Sequence, residues 1–320
     1  MSTDLHIIAT CSDRKRAPIP PGLHLRTIQA TAPESRARLW WNCLRDHPHP
    51  TYPAQDLYAG DHWSVVLELP TLATQAGLRS HLWVASAGYG LIPASAPIRP
   101  YSATFSRGHE DSVIPKGESR PTGELLQHWW KALARESSPM PGSPRHIRQL
   151  AESTPHARIL VVASPAYVAA FTDDLVHAAQ ALRKPEHLLI VSTPAPLFKG
   201  VLAPHQVPSN AHLQEQLGGA RQSLHARVAR HILERARDEG SEVDAAHARE
   251  YYEGLIHRSA PPVRYERTPM TDDEVRQFIV RALRTRKLSC SATLRQLRDS
   301  GLACEQKRFS RLFHALQERA

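Results

Sequence analysis

A cysteine near the N-terminus comes shortly before a charged segment. Cys11 is followed by Ser12 and then by Asp13, Arg14, Lys15 and Arg16. Cationic neighbours, and the N-terminus of any helix that follows, favour the thiolate, which is the nucleophilic form of cysteine. Cys11 is therefore a candidate nucleophile, with Ser12 and Lys15 as further candidate catalytic groups. The alternative role of Cys11 is that of a small buried filler, and the sequence does not choose between the two.

A second set of residues would support acid–base catalysis without a covalent step. A carboxylate can activate water while a phenol or an amine supplies a proton. Glu110 and Asp111, in the segment SRGHEDS, are the candidate bases, and the candidate proton donors are Tyr89, Tyr101 and Lys15. The alternatives are a solvated loop for the two acids and turn packing for the two tyrosines.

Four apolar segments of strand length would position these groups. They are LHIIATCS, HLWVASAG, RILVVASP and HLLIVSTP, which begin at residues 5, 81, 158 and 187. Runs of Val, Ile and Leu without polar alternation are typical of strands buried on both faces of a sheet. Helical segments lie between them, near 34–45, 166–183 and 213–239. The alternation predicts an α/β fold with a mainly parallel or mixed sheet.

The predicted strands end in small or hydroxyl-bearing residues. In open parallel sheets the ligand crevice forms outside the carboxyl ends of the strands. These ends bring to one edge Cys11, Ser12, Ser86, Ser164, Ser192 and Thr193. We therefore expect a pocket at this edge, although any single one of these side chains could simply begin a loop.

The C-terminal part of the chain has a different character. The proline-rich stretch 259–270 predicts a linker between a core domain, residues 1–258, and a helical domain, residues 271–320. One amphipathic helix begins at Thr271, and two more are predicted near 291–300 and 305–319, which together resemble a helix-turn-helix. The positions expected to face inward are Phe278, Ile279, Ala282, Leu283, Leu294, Leu297, Phe309, Leu312, Phe313 and Leu316.

Positive charge is concentrated in this helical domain. The whole chain has 40 Lys or Arg against 31 Asp or Glu, a formal charge of +9, and residues 275–320 have eleven against three. Such an excess favours binding to the phosphate backbone of DNA, with a solvated charged face as the alternative. The residues expected to contact DNA are Arg281, Arg284, Arg286, Lys287, Arg295, Arg298, Lys307, Arg308 and Arg311.

Other classes of protein are disfavoured by composition. The four cysteines show no spacing typical of a disulfide framework or a zinc site, and the 19 histidines form no ligand motif. The glycine segments AGYG and LGGA match neither nucleotide-binding pattern. No segment reaches the ~20 apolar residues that span a bilayer, and the N-terminus lacks a signal-peptide pattern. We expect a cytoplasmic, nucleoid-associated protein that uses no metal and no other cofactor.

The stretch from Leu57 to Phe105 carries a resemblance to a known family. It reads LYAGDHW, then a helical spacer, then HLWVASAGYGLIPASAPIRPYSATF, and this arrangement resembles the YaaA-like family. The matching residues are Tyr58, Gly60, Ser86, Tyr89, Gly90, Pro93, Pro100 and Tyr101. RILVVASPAYVAAF looks like the second strand–helix element of the family, with Tyr167 in the matching place. The resemblance covers about residues 5–235, and the opening CSDRK differs from the Ser-Pro-Ala-Lys of YaaA itself.

This resemblance implies a function on DNA. YaaA-like proteins are linked to peroxide stress and are reported to bind DNA. The DpdC branch is implicated in converting 7-cyano-7-deazaguanine in DNA to the 7-amido base, within bacterial restriction-modification clusters that act against phage. A YaaA-like core with a basic tail looks most like that branch, which implies double-stranded DNA and other proteins of the cluster as partners. The implied base-binding residues are Tyr58, Gly60, Ser86, Gly88, Gly90, Tyr101 and Ser164.

Either set of candidate groups would serve nitrile hydration. A thiolate adds to a nitrile to give a thioimidate that water resolves, whereas a carboxylate could activate water directly. A duplex base would have to leave the stack to reach the crevice, and tryptophans offer aromatic surface for it. Trp40, Trp41, Trp129 and Trp130 lie in helical stretches and are expected in the core. A non-catalytic DNA-protecting protein and an N-glycosidic base-processing enzyme stay open as alternatives.

Overall fold

The computed structural model describes residues 3–261, 266–285 and 288–317. The chain divides into two units, Met1–Ala260 and Pro261–Ala320. The division falls inside the proline-rich stretch predicted as a linker. Arg286 and Lys287, two of the residues expected to contact DNA, lie outside the described residues, as does the side chain of Lys307.

A mixed sheet forms the centre of the first unit. The strands of this unit are β1 (Asp4–Thr10), β2 (Tyr52–Pro53), β3 (Arg79–Ser86), β4 (Gly90–Pro93), β5 (Pro97–Ile98), β6 (Arg158–Val162), β7 (Leu188–Ser192) and β8 (Gln206–Pro208). Six of them form the sheet in the order β4-β3-β1-β6-β7-β8. Strands β3 and β4 pair antiparallel, and the other neighbours pair parallel. The expected α/β fold with a mixed sheet is confirmed.

The four apolar segments of the sequence form β1, β3, β6 and β7, as predicted. All five residues of β7 are buried, as are six of the seven in β1. These strands lie inside the sheet with neighbours on both sides, and helices cover them. Burial on both faces explains the continuous hydrophobicity of β1, β6 and β7, whereas in β3 only the last three residues, Val84, Ala85 and Ser86, are buried.

Helices surround this sheet. They are α1 (Pro33–Asp46), α2 (Ala54–Leu57), α3 (Asp61–Gln75), α4 (Thr122–Arg135), α5 (Ile147–Ser153), α6 (Pro165–Ala170), α7 (Thr172–Ala181), α8 (Gln214–Leu217), α9 (Leu224–Glu239) and α10 (Ala245–Arg258). Helix α3 packs against α9, whereas α4 packs against α1 and α6, and α5 against α7. The β1–α3–β3 and β6–α7–β7 connections run in opposite directions from the centre of the sheet. Right-handed crossovers of opposite direction place their helices on opposite faces.

Two helices predicted as continuous are interrupted, which corrects the sequence interpretation. The segment 166–183 forms α6 and α7, which are separated at Phe171. The segment 213–239 forms α8 and α9, because Gly218 and Gly219 between them have φ values of +68° and +74°. Backbone in this left-handed region cannot continue a right-handed helix, and glycine adopts it without steric cost.

The four tryptophans expected in the core are buried. Two of them also hold the turn between β3 and β4, since Trp40 Nε1–H donates to the Gly88 carbonyl at 2.9 Å and Trp129 Nε1–H donates to the Ala87 carbonyl at 2.8 Å. A buried indole is stabilised by such a partner. These two side chains therefore stabilise the turn from within the core and are not exposed surfaces on which a base could stack.

The described residues of the second unit form three helices and a short strand pair. Its elements are β9 (Thr268–Pro269), α11 (Asp272–Thr285), α12 (Cys290–Asp299), β10 (Leu302–Ala303) and α13 (Gln306–Gln317). Strands β9 and β10 pair parallel. Nearly all of the predicted inward side chains pack in one small hydrophobic cluster, buried or half-buried, and Ala282 is buried as well. Among the described residues of both units, no helix has the length and apolar character needed to cross a membrane.

Candidate active site

The carboxyl ends of β1 and β6 form the centre of the predicted edge. The connection after β1 leads to β3 on one side, whereas β6 and the strands after it lie on the other. In open α/β sheets, the ligand site is found outside the strand ends where connections diverge in this way. Cys11 follows β1 directly, and its N–H donates to the Ala85 carbonyl at 3.0 Å. Tyr167 lies in α6, the helix that follows β6.

The thiol of Cys11 and the phenol of Tyr167 meet at this edge of the sheet. Cys11 Sγ lies 3.1 Å from Tyr167 Oη, and both side chains are half-buried. The Tyr167 ring packs on Phe105 with 4.6 Å between ring centroids. Burial, together with negative charge on Cys11, raises the pKa of Tyr167 well above its ordinary value. A tyrosine whose pKa is at or above its ordinary value is protonated at neutral pH, so this phenol can donate a hydrogen bond to the sulfur.

Two further tyrosines form a hydrogen-bonded chain behind this pair. Tyr58 Oη lies 2.9 Å from Tyr101 Oη, which lies 2.6 Å from Ser86 Oγ. Ser86 Oγ also accepts the N–H groups of Gly88 and Tyr89, at 3.2 and 2.9 Å. Burial, followed by negative charge on Cys11, raises the pKa of both phenols well above the ordinary value. The structure brings together Tyr58, Ser86 and Tyr101, three residues that the resemblance assigned to base binding, but all three are fully buried, so their contacts support the loop and do not face a ligand.

Lys15 lies above the rings of these tyrosines. Its Nζ is 4.5 Å from the ring centroid of Tyr101 and 5.6 Å from that of Tyr58. Nζ donates to the carbonyls of Ser12 and Asp13 at 2.9 and 3.1 Å. Burial lowers the pKa of Lys15 below its ordinary value, and negative charge on Cys11 and Asp13 opposes this shift. An amine in such surroundings can exchange a proton closer to neutral pH than an exposed lysine.

Backbone hydrogen bonds fix the loop that carries Cys11 and Lys15. The Arg16 N–H donates to the Leu57 carbonyl at 2.9 Å, and the Ala59 N–H donates to the Arg14 carbonyl at 3.0 Å. Ser12 Oγ accepts a hydrogen bond from the Ala59 N–H at 3.2 Å and donates to the Arg14 carbonyl at 2.9 Å. Both hydrogen-bonding roles of the Ser12 hydroxyl are therefore used in closing this loop, which favours a positioning role over a nucleophilic one.

Gly88 is required by the close approach of Tyr101. A Cβ built on Gly88 would lie 2.6 Å from Cδ2 of that ring. Because Tyr101 is fully buried and held by two hydroxyl partners, its ring cannot easily give way. Gly88 thus acts on the shape of the site without contributing a functional group.

The other candidate acid–base groups lie in different surroundings. Tyr89 Oη accepts the Arg99 N–H at 3.0 Å, and burial raises the pKa of this phenol. Asp111 accepts hydrogen bonds from Ser102 Oγ at 2.7 Å and from the Arg26 N–H at 3.0 Å. Burial alone would raise the pKa of Asp111, but these hydrogen bonds outweigh it and hold the pKa below its ordinary value. Glu110 is exposed and pairs with Arg26. These contacts favour structural roles over catalysis.

The remaining predicted residues occupy separate places along the edge. Ser164 is half-buried and precedes α6 directly, Ser192 is buried, and Thr193 is exposed. Ser192 Oγ has no hydrogen-bond partner among the described residues. Gly60 and Gly90 have φ values of +100° and +73°, so they allow the turns before α3 and at the start of β4.

His62 is a residue of this edge that sequence reasoning missed. Its Nε2–H donates to the carbonyl of Thr10, the residue before Cys11, at 3.1 Å. Burial lowers the pKa of His62, although the hydrogen bond to Thr10 opposes the shift. The neutral ring therefore holds the end of β1 in place. Its position inside the segment LYAGDHW was the available signal.

Some arginines of the second unit pair with acidic residues, contrary to the sequence interpretation. Arg308 Nε donates to Asp272 at 2.6 Å, and Arg311 lies 3.6 Å from the same carboxylate. Counted over residues 261–320, thirteen Lys or Arg face seven Asp or Glu, a formal charge of +6. Arg284 and Arg295 are exposed and have no ion-pair partner in the described part of the chain. The acids at the start of α11 thus neutralise part of the charge counted from residue 275 onward.

Neither a metal centre nor a relative offers a further indication of function. Within residues 3–261, 266–285 and 288–317, no three His, Cys, Asp or Glu side chains are grouped as metal ligands. Comparisons with protein-family models, curated proteins and solved structures find no match for the chain. The indications of function are therefore the geometry of the site and the sequence resemblance.

Proposed function

We propose that the chain hydrates the nitrile of 7-cyano-7-deazaguanine in DNA to the 7-carboxamide, with Cys11 as the nucleophile. The observation that supports this most directly is the 3.1 Å separation of Cys11 Sγ and Tyr167 Oη at the carboxyl edge of the sheet. A nucleophile beside a protonated phenol is the arrangement that addition to a nitrile needs. The substrate itself comes from the resemblance to the DpdC branch of the YaaA-like family.

In the first step the Cys11 thiolate adds to the nitrile carbon. A carbon–sulfur bond forms, one carbon–nitrogen π bond breaks, and the nitrogen takes a proton from Tyr167 Oη. The ammonium of Lys15 returns a proton to the phenolate, which leaves a neutral amine and a thioimidate. The lowered pKa of Lys15 favours this transfer.

In the second step water resolves the thioimidate. The water oxygen bonds to carbon and gives a proton to the Lys15 amine. Tyr167 gives the nitrogen its second proton, and the Lys15 ammonium returns a proton to the phenolate, so Lys15 is again a neutral amine. The carbon–sulfur bond then breaks, sulfur leaves as the thiolate, and Lys15 takes the remaining hydroxyl proton. The balance is one water added to the nitrile, with all three side chains returned to their starting state.

The second unit would hold the DNA while one base is out of the stack. Arg284 and Arg295 are its exposed, unpaired arginines among the described residues, so they are the groups that would meet backbone phosphates. A base inside the duplex cannot reach a half-buried thiol, which is why the proposal requires extrusion of the target nucleotide.

The direct test is a mass measurement on modified DNA. The purified protein is incubated with duplex DNA containing 7-cyano-7-deazaguanine. The DNA is then digested to nucleosides, and their masses are measured by mass spectrometry. We expect a gain of one water with the unchanged protein and with Cys43→Ala, a half-buried cysteine in α1. Cys11→Ala should give no product.

Each other result selects a different function. Product formation by Cys11→Ala would exclude the thioimidate route. Loss of the base with an abasic product would favour N-glycosidic chemistry. Unchanged nucleosides, with DNA binding intact, would favour a non-catalytic DNA-binding protein.

A further inference from the structure

One cavity, whose lining does not include Cys11, Lys15 or Tyr167, has an excess of positive charge. It lies between the segment before α1 and the loop 109–116, and its volume is about 370 Å³. Its charged lining residues are Arg26, Arg36, Glu110 and Lys116. No step of the proposed reaction uses this cavity.

Arg36 is the unusual group of this cavity. Its side chain is only 6% exposed. Its Nη1 and Nη2 atoms donate to backbone carbonyls, including those of Ala30 at 3.1 Å, Leu25 at 3.3 Å and Ser112 at 3.4 Å. The Nε–H has no partner among the described residues. The two contacts of Nη2, with Leu25 and Ser112, are long, and Nε has no partner, so this edge of the guanidinium is weakly satisfied.

No acid in the described part of the chain compensates the charge of Arg36. Burial lowers its pKa, and no neighbouring carboxylate opposes that shift. The two nearby acids have other partners, since Glu110 pairs with Arg26, and Asp111 accepts from Ser102 and from the Arg26 N–H. Lys116 is exposed and also has no ion-pair partner among the described residues. Two cations therefore face this cavity without a counter-charge.

We propose that this cavity binds a phosphoryl group. A buried cation without a counter-charge is costly, and a bound oxyanion supplies that charge. The unpartnered Nε–H of Arg36 can donate to one phosphate oxygen, and the ammonium of Lys116 adds a point charge. The ligand is either a free phosphate monoester or a phosphate of the DNA backbone. This inference does not depend on the nitrile chemistry.

Calorimetry with inorganic phosphate at constant ionic strength tests the site. We expect one phosphate to bind per chain, and Lys116→Gln to weaken binding by roughly threefold, as for an exposed ion pair. Lys184→Gln, an exposed lysine outside the cavity, is the matched control and should change nothing. Arg36 is left unchanged because its guanidinium holds backbone carbonyls together.

A second variant should change the phosphate affinity in the opposite direction. Glu110→Gln removes the acid partner of Arg26, so phosphate should bind more tightly by a similar factor. Absence of binding to the unchanged protein would overturn the proposal. Equal weakening by Lys116→Gln and Lys184→Gln would do the same, because it would indicate a non-specific charge effect.

Two ligands distinguish the sources of the phosphoryl group. Deoxyguanosine 5′-monophosphate should bind more tightly than deoxyguanosine, and equal affinity would contradict the site. If Lys116→Gln weakens the mononucleotide and leaves duplex DNA unaffected, the ligand is a free monoester. If it weakens duplex DNA as well, the ligand is the DNA backbone.

Discussion

At the scale of single residues, burial decides which protons the site can move. Burial raises the pKa of Tyr167 above its ordinary value, whereas burial lowers the pKa of Lys15. One group is thereby held as a donor beside the sulfur, and the other is brought closer to proton exchange at neutral pH. Burial disfavours the charged form of each group. It therefore raises the pKa of tyrosine, which is charged when deprotonated, and lowers the pKa of lysine, which is charged when protonated.

Removing the Tyr167 hydroxyl tests its role as proton donor. In Tyr167→Phe we expect kcat for nitrile hydration to fall by about 10²-fold, the usual contribution of one general acid. KM should change little, since the phenyl ring that packs on Phe105 is kept. Steady-state kinetics would separate the two parameters.

Tyr251→Phe, in α10, is the control for this variant and should leave both parameters unchanged. A kcat of Tyr167→Phe near that of the unchanged protein would show that the phenol transfers no proton in the slow step. A rise in KM alone would instead assign Tyr167 to binding.

At the scale of elements, β1 connects the site to a buried histidine near its other end. His6 is 5% exposed, and its Nδ1 accepts the Trp83 Nε1–H at 3.2 Å. Its Nε2–H therefore donates to Thr154 Oγ1, at 2.9 Å. Both nitrogens are used by the neutral ring, and burial, followed by repulsion from His81, lowers the pKa of His6 to about 4.

This histidine should make the fold sensitive to mild acid. Between pH 6.5 and about pH 4 the unfolded chain binds a proton at His6 that the folded chain does not. The free energy of unfolding should therefore fall as pH falls through this interval, by about 3 kcal/mol from this one group. Urea unfolding at several pH values should show a shallower pH slope for His6→Gln.

His257→Gln is the control, because this side chain is exposed on α10. Its pH slope should match that of the unchanged protein. Equal slopes for His6→Gln and the unchanged protein would mean that the folded and unfolded states protonate His6 alike. The comparison uses slopes because the substitution also removes two hydrogen bonds.

At the scale of the whole molecule, charge is divided unequally between the two units. Residues 261–320 have a formal charge of +6 out of +9 for the chain. The contacts of Asp272 with Arg308 and Arg311 use part of this charge inside the second unit. The exposed arginines of α11 and α12 are then the ones expected to meet DNA.

The salt dependence of DNA binding tests this assignment. With Arg284→Gln and Arg295→Gln combined, the slope of log K against log[salt] should decrease in magnitude by about 1.8, or 0.9 for each lost phosphate contact. Affinity should fall at low salt for every duplex sequence. Fluorescence anisotropy over a salt series measures both quantities.

Lys184→Gln, in the first unit, is the control and should keep the slope of the unchanged protein. An unchanged slope in the double variant would remove these two arginines from the DNA contact. A loss of affinity for one duplex sequence alone would assign them to base recognition.

The sequence by itself determined the strands and the edge at which they end. Uninterrupted apolar runs specify strands buried on both faces, and a period of about 3.6 specifies the amphipathic helices of the second unit. It also pointed to Cys11, Lys15 and Tyr101 as chemical groups. The two glycines that interrupt 213–239 were visible as well, but their φ values were not.

Only the tertiary structure decided which of these groups meet. Cys11 and Tyr167 are 156 positions apart, and they come together because β1 and β6 are neighbours in the sheet. The same folding gave Asp111 the partners Ser102 and Arg26, and paired Arg308 with Asp272. Contacts over such separations depend on strand order and helix packing, which local residue patterns do not encode, and burial then sets the protonation of the groups that meet.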